Sequence, residues 1–200
     1  ALPIGLYSAI KPNGWVDRFS TVFVFIGVSM PNFWLGMLLV MAFAIGLGWL
    51  PAQGYNTTNP WMSFQSLLMP AIALGFSQAA LIARMTRSSM LEVMRQDYVQ
   101  TARAKGLRVT KVLGKHAFTN ALNPIVTVTG LAVISLISGS VVVEVVFNLP
   151  GIGRLTVNSV LRRDFPMIQG VLLLTAVMII VTNLITDLFY AVIDPRIRYD

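Results

Sequence analysis

Between Arg18 and Arg84 the chain carries no charged residue. That run is longer than one crossing of a bilayer, whose hydrocarbon core of about 30 Å takes roughly 20 apolar residues of helix. Only 12% of the 200 residues are charged and the mean hydropathy is +0.72. A soluble domain typically charges about a quarter of its residues. These features place the chain among membrane proteins that cross the bilayer several times.

The same scarcity makes the position of the charges informative. The net charge is +7, and the stretch from Arg84 to Lys115 holds eight Lys and Arg against Glu92 and Asp97, a net +6. A basic surface spread over the molecule would suggest nucleic acid. One basic loop between two apolar spans instead follows the positive-inside rule. There is no cysteine, hence no disulfide framework, thiol nucleophile or thiolate metal site. His116 is the single histidine and cannot make a histidine metal site alone.

Breakers divide the apolar sequence. The first ten residues are too few to span and read as the tail of a helix that begins earlier. Lys11 to Arg18 is a charged turn. Phe19 to Leu50 is uncharged, and as one straight helix would run roughly 48 Å. Pro31 should divide it into an interfacial stretch and a span from Pro31 to Trp49. Residues 51 to 60 read as a loop, with Trp49, Tyr55 and Trp61 as interface anchors. Further spans are expected over 67–83, continuing as a basic helix to Met94, over 121–143 and over 167–193, where Pro195 stops the helix. Residues 144–165 should not span. Thr175, Thr182, Asn183, Thr186 and Asp187 form a polar stripe on the last span. It is read as packing on another helix, with Asp187 pairing or capping near the inner end. Glu144 is a candidate for a solute pathway or partner contact, because a carboxylate at the end of a span often marks one. It reads equally as a residue at the water interface. With the spans alternating, Lys11, Arg18, the 84–115 loop, Arg196 and Arg198 share one side, which should be the cytoplasm.

Covalent and nucleotide chemistry find no support. Between Gly106 and Gly114-Lys115 seven residues intervene and His116 follows, so the spacing that wraps a phosphate is missing. The segment GIGRLT lacks the third glycine of a dinucleotide fingerprint. No nucleophile elbow or His-Glu-x-x-His occurs.

The basic loop contains a short element with its own punctuation, DYVQTARAKGL over residues 97–107. Asp97 is a good N-cap, and Gln100 three residues later completes a capping box. Gly106 falls where a left-handed residue ends a helix. Arg103 and Lys105 suit the dipole of the last turn. The pattern predicts a helix over 98–105, roughly 12 Å long, with the small residues Thr101, Ala102 and Ala104 leaving room for another surface.

This stretch resembles the cytoplasmic loop of ABC importer permeases, whose loose signature is Glu-Ala-Ala, three residues, Gly. Here Gln100-Thr101-Ala102, then Arg103-Ala104-Lys105, then Gly106 occupy those positions. The resemblance is to the dipeptide, oligopeptide and nickel branch. It continues through HAFTNALNPIVTV, GSVVVEVVFNLPGIGRL, RRDFPMIQG and the terminal DPRIRY. It implies an all-α polytopic membrane protein, one transmembrane permease domain over 1–200, with four full transmembrane helices plus the end of a fifth. Residues 95–116 would be its cytoplasmic coupling loop. The family's short coupling helix docks in a groove of a separate ATP-binding cassette ATPase. By position, Gln100, Thr101, Ala102, Arg103, Ala104, Lys105, Gly106 and Leu107 are the expected contacts, and Ala102→Arg should weaken docking by overpacking.

The implied partners are that ATPase, a second permease subunit (a relative or a copy of this chain), a periplasmic substrate-binding protein and the lipid bilayer, with no nucleic acid. The chain itself binds no cofactor and is not an enzyme, since ATP and Mg2+ are used by the ATPase. The expected location is a bacterial inner membrane, with the coupling loop and C-terminus cytoplasmic. The solute is a peptide, a nickel chelate or glutathione. A channel conducting without ATP, or a membrane scaffold moving no solute, are the readings from other classes.

Overall fold

At membrane depth there is no water to bond backbone N–H and C=O groups, so they must be satisfied within helices or a closed barrel. The computed structural model describes residues 1–108 and 111–193, apart from the side chains of Arg103, Lys115, His116 and Ile193, and the described residues form helices without strands. Pro195, Arg196, Arg198 and the DPRIRY segment lie outside the described residues. This is an all-α polytopic membrane protein.

Helix α1 (Leu2–Ile10) has proline in its first turn, where the missing N–H would have no helical partner anyway. A tight turn with Asn13 at φ 65° leads into α2 (Trp15–Ser29). Asp17, in the first turn of α2, accepts the Asn13 N–H at 2.9 Å. The same carboxylate takes two bonds from Arg87, Nε at 2.5 Å and Nη2 at 2.9 Å. Its side chain is only 5% exposed. The turn between α1 and α2 is thus fastened to the long helix that carries Arg87.

Proline ends α2 as expected, but the next helical segment is shorter than a span. Pro31 adopts ψ 138°, which breaks the helix, and α3 (Asn32–Leu39) starts after it. It continues as π-helical turns over Val40–Gly46. These segments of 8 and 7 residues reach about 20 Å, less than the roughly 30 Å hydrocarbon core. The expected span to Trp49 stops at Gly46 because Gly48 turns left-handed at φ 65°. The N–H groups of Trp49 and Leu50 fold back onto the Phe43 carbonyl. Among the described residues three helices are long and apolar enough to cross a membrane, or four if the bent pair α2–α3 is one span.

Helix α4 (Pro60–Met94) begins seven residues before the expected span. Asn59 supplies the start: its Oδ1 accepts the Trp61 N–H at 2.9 Å and its carbonyl the Ser63 N–H, with proline in the first helical position. Helix α5 is Asp97–Ala104. π-helical turns over Val112–Phe118 lead directly into α6 (Thr119–Val146). The short α7 (Ile152–Leu161) and the long α8 (Phe165–Ile193) complete the order.

The contacts divide the chain into two compact units, to both of which α2, α4, α6 and α8 contribute. The first takes residues 1–27, 79–132 and 182 onward. Ala9, Met90, Ala117, Ala121 and Ile125 form its core, with Leu6, Leu91 and Phe118 against them. Here α6 and α8 meet at small and hydroxyl residues. A Cβ at Gly130 would lie 2.5 Å from Thr186 Oγ1, and Thr127 is hydrogen-bonded to the Tyr190 hydroxyl. The second unit takes residues 28–78 and 133–181. Met69, Ala73, Val143 and Phe147 are its core, and Gly36 lets α3 approach the Phe147 ring, 2.9 Å from where a Cβ would stand. Ser77 donates to Asn32 and Gln78 to Ser135, so polar side chains of these apolar helices bond each other.

Removing the Asp17 carboxylate leaves the Arg87 guanidinium without its bidentate partner. Asp17→Ala should lower the stability of the detergent-purified protein by about 1–3 kcal/mol, and Asp17→Asn by less. An unchanged thermal midpoint in Asp17→Ala would show that the pair contributes nothing.

Candidate functional site

Helix α5 has two faces of different character. Val99 is fully buried and Ala102 is 7% exposed. One turn apart, they lie on the same side. They pack with Val112 in a small cluster closed by Val93 and Leu107. The opposite face, with Tyr98, Gln100, Thr101, Ala104 and Lys105, is exposed. Ala102, expected on the docking face, therefore faces inward, and the close approach it permits is to the chain's own Val112. The side chain of Arg103 is outside the described residues.

The ends of α5 are built somewhat differently from the sequence pattern. Asp97 is itself the first helical residue. The N–H groups of Val99 and Gln100 bond the carbonyl of Gln96. The Gln100 amide reaches back, but to the Arg95 carbonyl at 3.2 Å, so the reciprocal capping box is not made. Asp97 instead places a carboxylate in the first turn, where the helix dipole favours it. At the other end Gly106 has φ 75°, a left-handed conformation that costs glycine nothing. Beside α5 is a cleft of about 500 Å3 lined by Ser88, Leu91, Glu92, Arg95, Gln96 and Asp97. Sequence reasoning passed over it, because only the fold turns the last residues of α4 toward one space.

Glu144 sits at the end of α6 and has a definite occupation. Helix α7 starts after Gly151, which has no side chain to cap it. The Glu144 carboxylate takes over, accepting the Arg154 N–H at 2.9 Å in the first turn of α7. An anion belongs at that end of a helix dipole. The two glycines of PGIG are what allow it. A Cβ at Gly151 would fall on the Glu144 carboxylate, and one at Gly153 would lie 2.6 Å from Val141 Cα and 3.0 Å from Glu144 Oε2. The connecting turn closes with Leu149 N–H on the Glu144 carbonyl at 2.8 Å and Asn148 left-handed at φ 54°. The sequence offered Glu144 as a lone carboxylate near PGIG, but nothing local marked it as a cap for α7.

Asp187 and Asn183 are exposed on α8. Asp187 has no hydrogen bond or ion pair among the described residues, so the pairing expected for it is not present there. Thr186 does pack on another helix, against Gly130. Among the described residues no group of three or more His, Cys, Asp or Glu could hold a metal ion.

A multi-crossing helical protein with a short, separately seated helix in its basic loop defines a class, a polytopic membrane component carrying a candidate docking element. The family follows from sequence comparison: residues 1–199 match the model for the binding-protein-dependent transport system inner membrane component, and the chain belongs to that family. It is 44% identical over 203 residues to the oligopeptide transport system permease protein AppB of Bacillus subtilis, covering 100% of this chain and 64% of that protein. It is 47% identical over 198 residues to the glutathione transport system permease protein GsiC of Pectobacterium atrosepticum, covering 99% and 63%. The GsiC of Escherichia coli K12 is 46% identical over 195 residues, covering 98% and 62%. The chain thus spans a little under two thirds of the relatives it matches.

The clamp predicts a specific coupling. Glu144→Ala should destabilise by about 1–3 kcal/mol, as for loss of a charged hydrogen bond. Gly151→Ala should destabilise through collision with the carboxylate, and adding it to Glu144→Ala should produce little further loss. Gly153→Ala meets the Val141 backbone as well, so Glu144→Ala should not relieve it. Thermal unfolding of the three single and two double variants measures this, and strict additivity of Glu144→Ala with Gly151→Ala would remove the clamp.

Proposed function

We propose that the chain is the permease subunit of an ATP-driven importer in a bacterial inner membrane, moving peptides or a related small solute by alternating access. The observation that carries this reading is α5: a short helix buried on one face against Val112 and open on the other, within the most basic loop of a family member of transport systems. Its partner is an ATP-binding cassette ATPase subunit, which hydrolyses the ATP with Mg2+. A second permease subunit completes the pathway, and a periplasmic binding protein delivers the solute.

The orientation rests on charge. Lys11, Arg18, Arg84, Arg87, Arg95, Lys105, Arg108 and Lys111 all belong to the first compact unit, whereas the second holds Arg154, Arg162 and Arg163 with Glu144 and Asp164. Basic loops are retained in the cytoplasm, so the α4–α5 turn faces the ATPase. The loop at the start of α4 then lies on the outer side. The printed names of the relatives, one an oligopeptide and another a glutathione system, support a peptide-like solute.

Of the residues with the expected positions, Gln100, Thr101, Ala104 and Lys105 form the docking face, with Gly106 and Leu107 ending the helix. Val99 and Ala102 keep it seated, so that a push on one face moves the other. Glu144 acts as the clamp of α7, which places its importance in positioning rather than in contact with solute.

Two substitutions separate docking from seating. Ala104→Arg should abolish co-purification of the ATPase while leaving the permease as resistant to proteolysis as before. Ala102→Arg should also reduce co-purification, but with new cleavage between residues 95 and 112, because the side chain cannot fit against Val112. Retention of the ATPase by Ala104→Arg would sink the assignment of the docking face.

A further inference from the structure

The π-helical turns over Val112–Phe118 run straight into α6. A π-helix bonds each N–H five residues back instead of four, and such turns are rare and gather at functional places. The two ends of this stretch are held by different neighbours. Val112, fully buried, packs with Val99 and Ala102 of α5. Ala117, also fully buried, belongs with Ala121 to the cluster that holds Ala9 of α1 and Met90 of α4. Val112 therefore goes with the short helix, and Ala117 with the core of the first unit.

Gly114 stands between these two anchors and is exposed. A Cβ there would meet no atom within 4 Å, and its backbone is not left-handed. Among the described residues neither space nor backbone conformation requires glycine at this position, yet glycine weakens a helix relative to alanine. Gly75, Gly139 and Gly170 have equally open surroundings, but they lie within α4, α6 and α8. At Gly114 the weakness coincides with π bonding. The side-chain bond that closes the stretch is long, the Thr119 hydroxyl donating to the Gly114 carbonyl at 3.4 Å. Exchanging five-residue for four-residue bonding moves a helix on by one residue, a turn of about 100° and a rise of about 1.5 Å. We propose that the turns over Val112–Phe118 are a joint that converts movement of α5 into a one-residue shift of helical register at the start of α6, with Gly114 as its weak point. The proposal rests on the importer reading and deepens it: force from the docked ATPase reaches α6 through a change of register, and not along a rigid rod.

The test uses the full-length permease assembled with its partner permease and ATPase in nanodiscs. Gly114→Ala is set beside Gly170→Ala, the same exchange at an open position of an α-helix. Gly114→Ala should keep or raise the thermal midpoint and retain the ATPase on co-purification. Amide hydrogen exchange over residues 113–119 should differ between the nucleotide-free complex and the complex trapped with ATP and vanadate, and Gly114→Ala should remove most of that difference. With the same complex in proteoliposomes and its binding protein added, Gly114→Ala should still hydrolyse ATP while trialanine uptake per ATP falls severalfold, and Gly170→Ala should match the unmutated protein. Exchange over 113–119 that is the same in both states overturns the joint, as does unchanged uptake per ATP in Gly114→Ala. An equal loss in Gly170→Ala overturns it too, by assigning the effect to helix stiffness in general. Loss of the ATPase from Gly114→Ala would make the glycine a place of close contact with that subunit instead of a joint. An unmutated permease that recruits no ATPase defeats the importer reading, and the joint with it.

Discussion

A backbone N–H or C=O left unbonded in hydrocarbon costs several kcal/mol, and this constraint bears on how the described helices of this protein begin and bend. Where helices are continuous the problem is solved locally. Where they break, a side chain or a neighbouring backbone group steps in. Asn59 bonds the first turn of α4, Glu144 the first turn of α7, and the Phe43 carbonyl receives two N–H groups from the loop before α4. The π-helical turns after α3 and before α6 keep the backbone bonded while changing the direction in which side chains emerge. Irregular structure therefore gathers where polar partners exist.

The helix in the basic loop poses a different energetic problem. Eight residues are too few to hold a helix in water, since nucleation is unfavourable and little propagation offsets it. A favourable terminal residue contributes about 0.5–2 kcal/mol as a cap. Burying a valine side chain contributes roughly 1.5–3 kcal/mol, and Val99 and Val112 are both fully buried. The seat thus outweighs the caps. It also explains why small residues appear on both faces: Ala102 is small because Val112 is close, while Ala104 is small on a face left open.

How much of this was legible in the sequence depends on the range of the interaction. Pro31 and Gly106 act on their own backbone, so the break after α2 and the left-handed turn after α5 could be read directly. Long apolar runs marked α4, α6 and α8 to within a few residues, with the early start of α4 hidden because Asn59 sat in a stretch rich in loop residues. The shortfall of α3 was not legible, since π-helical turns carry no compositional mark. The pairing of Asp17 with Arg87 joins residues 70 positions apart, and nothing local announces it. The burial of Ala102 against Val112 was hidden for a related reason. A small residue signals close approach, but not which neighbour approaches.

Glu144 shows how a charge in an apolar segment can be matched to a helix start. VVVEVVF places a carboxylate among valines, where an unpaired ion would be costly. A cation partner would offset that cost but would add a second ion to desolvate. The protein instead presents backbone: the N-terminus of α7, which already carries orphan N–H groups and a partial positive charge, and two glycines that let the carboxylate reach it. The arrangement satisfies a helix end and an anion at once. It also fixes α7 to the end of α6, beside the Val146 and Phe147 carbonyls that hold Gln53 and Gly54 of the loop before α4. The clamp on α7 and the tie to the loop before α4 thus share one short length of backbone.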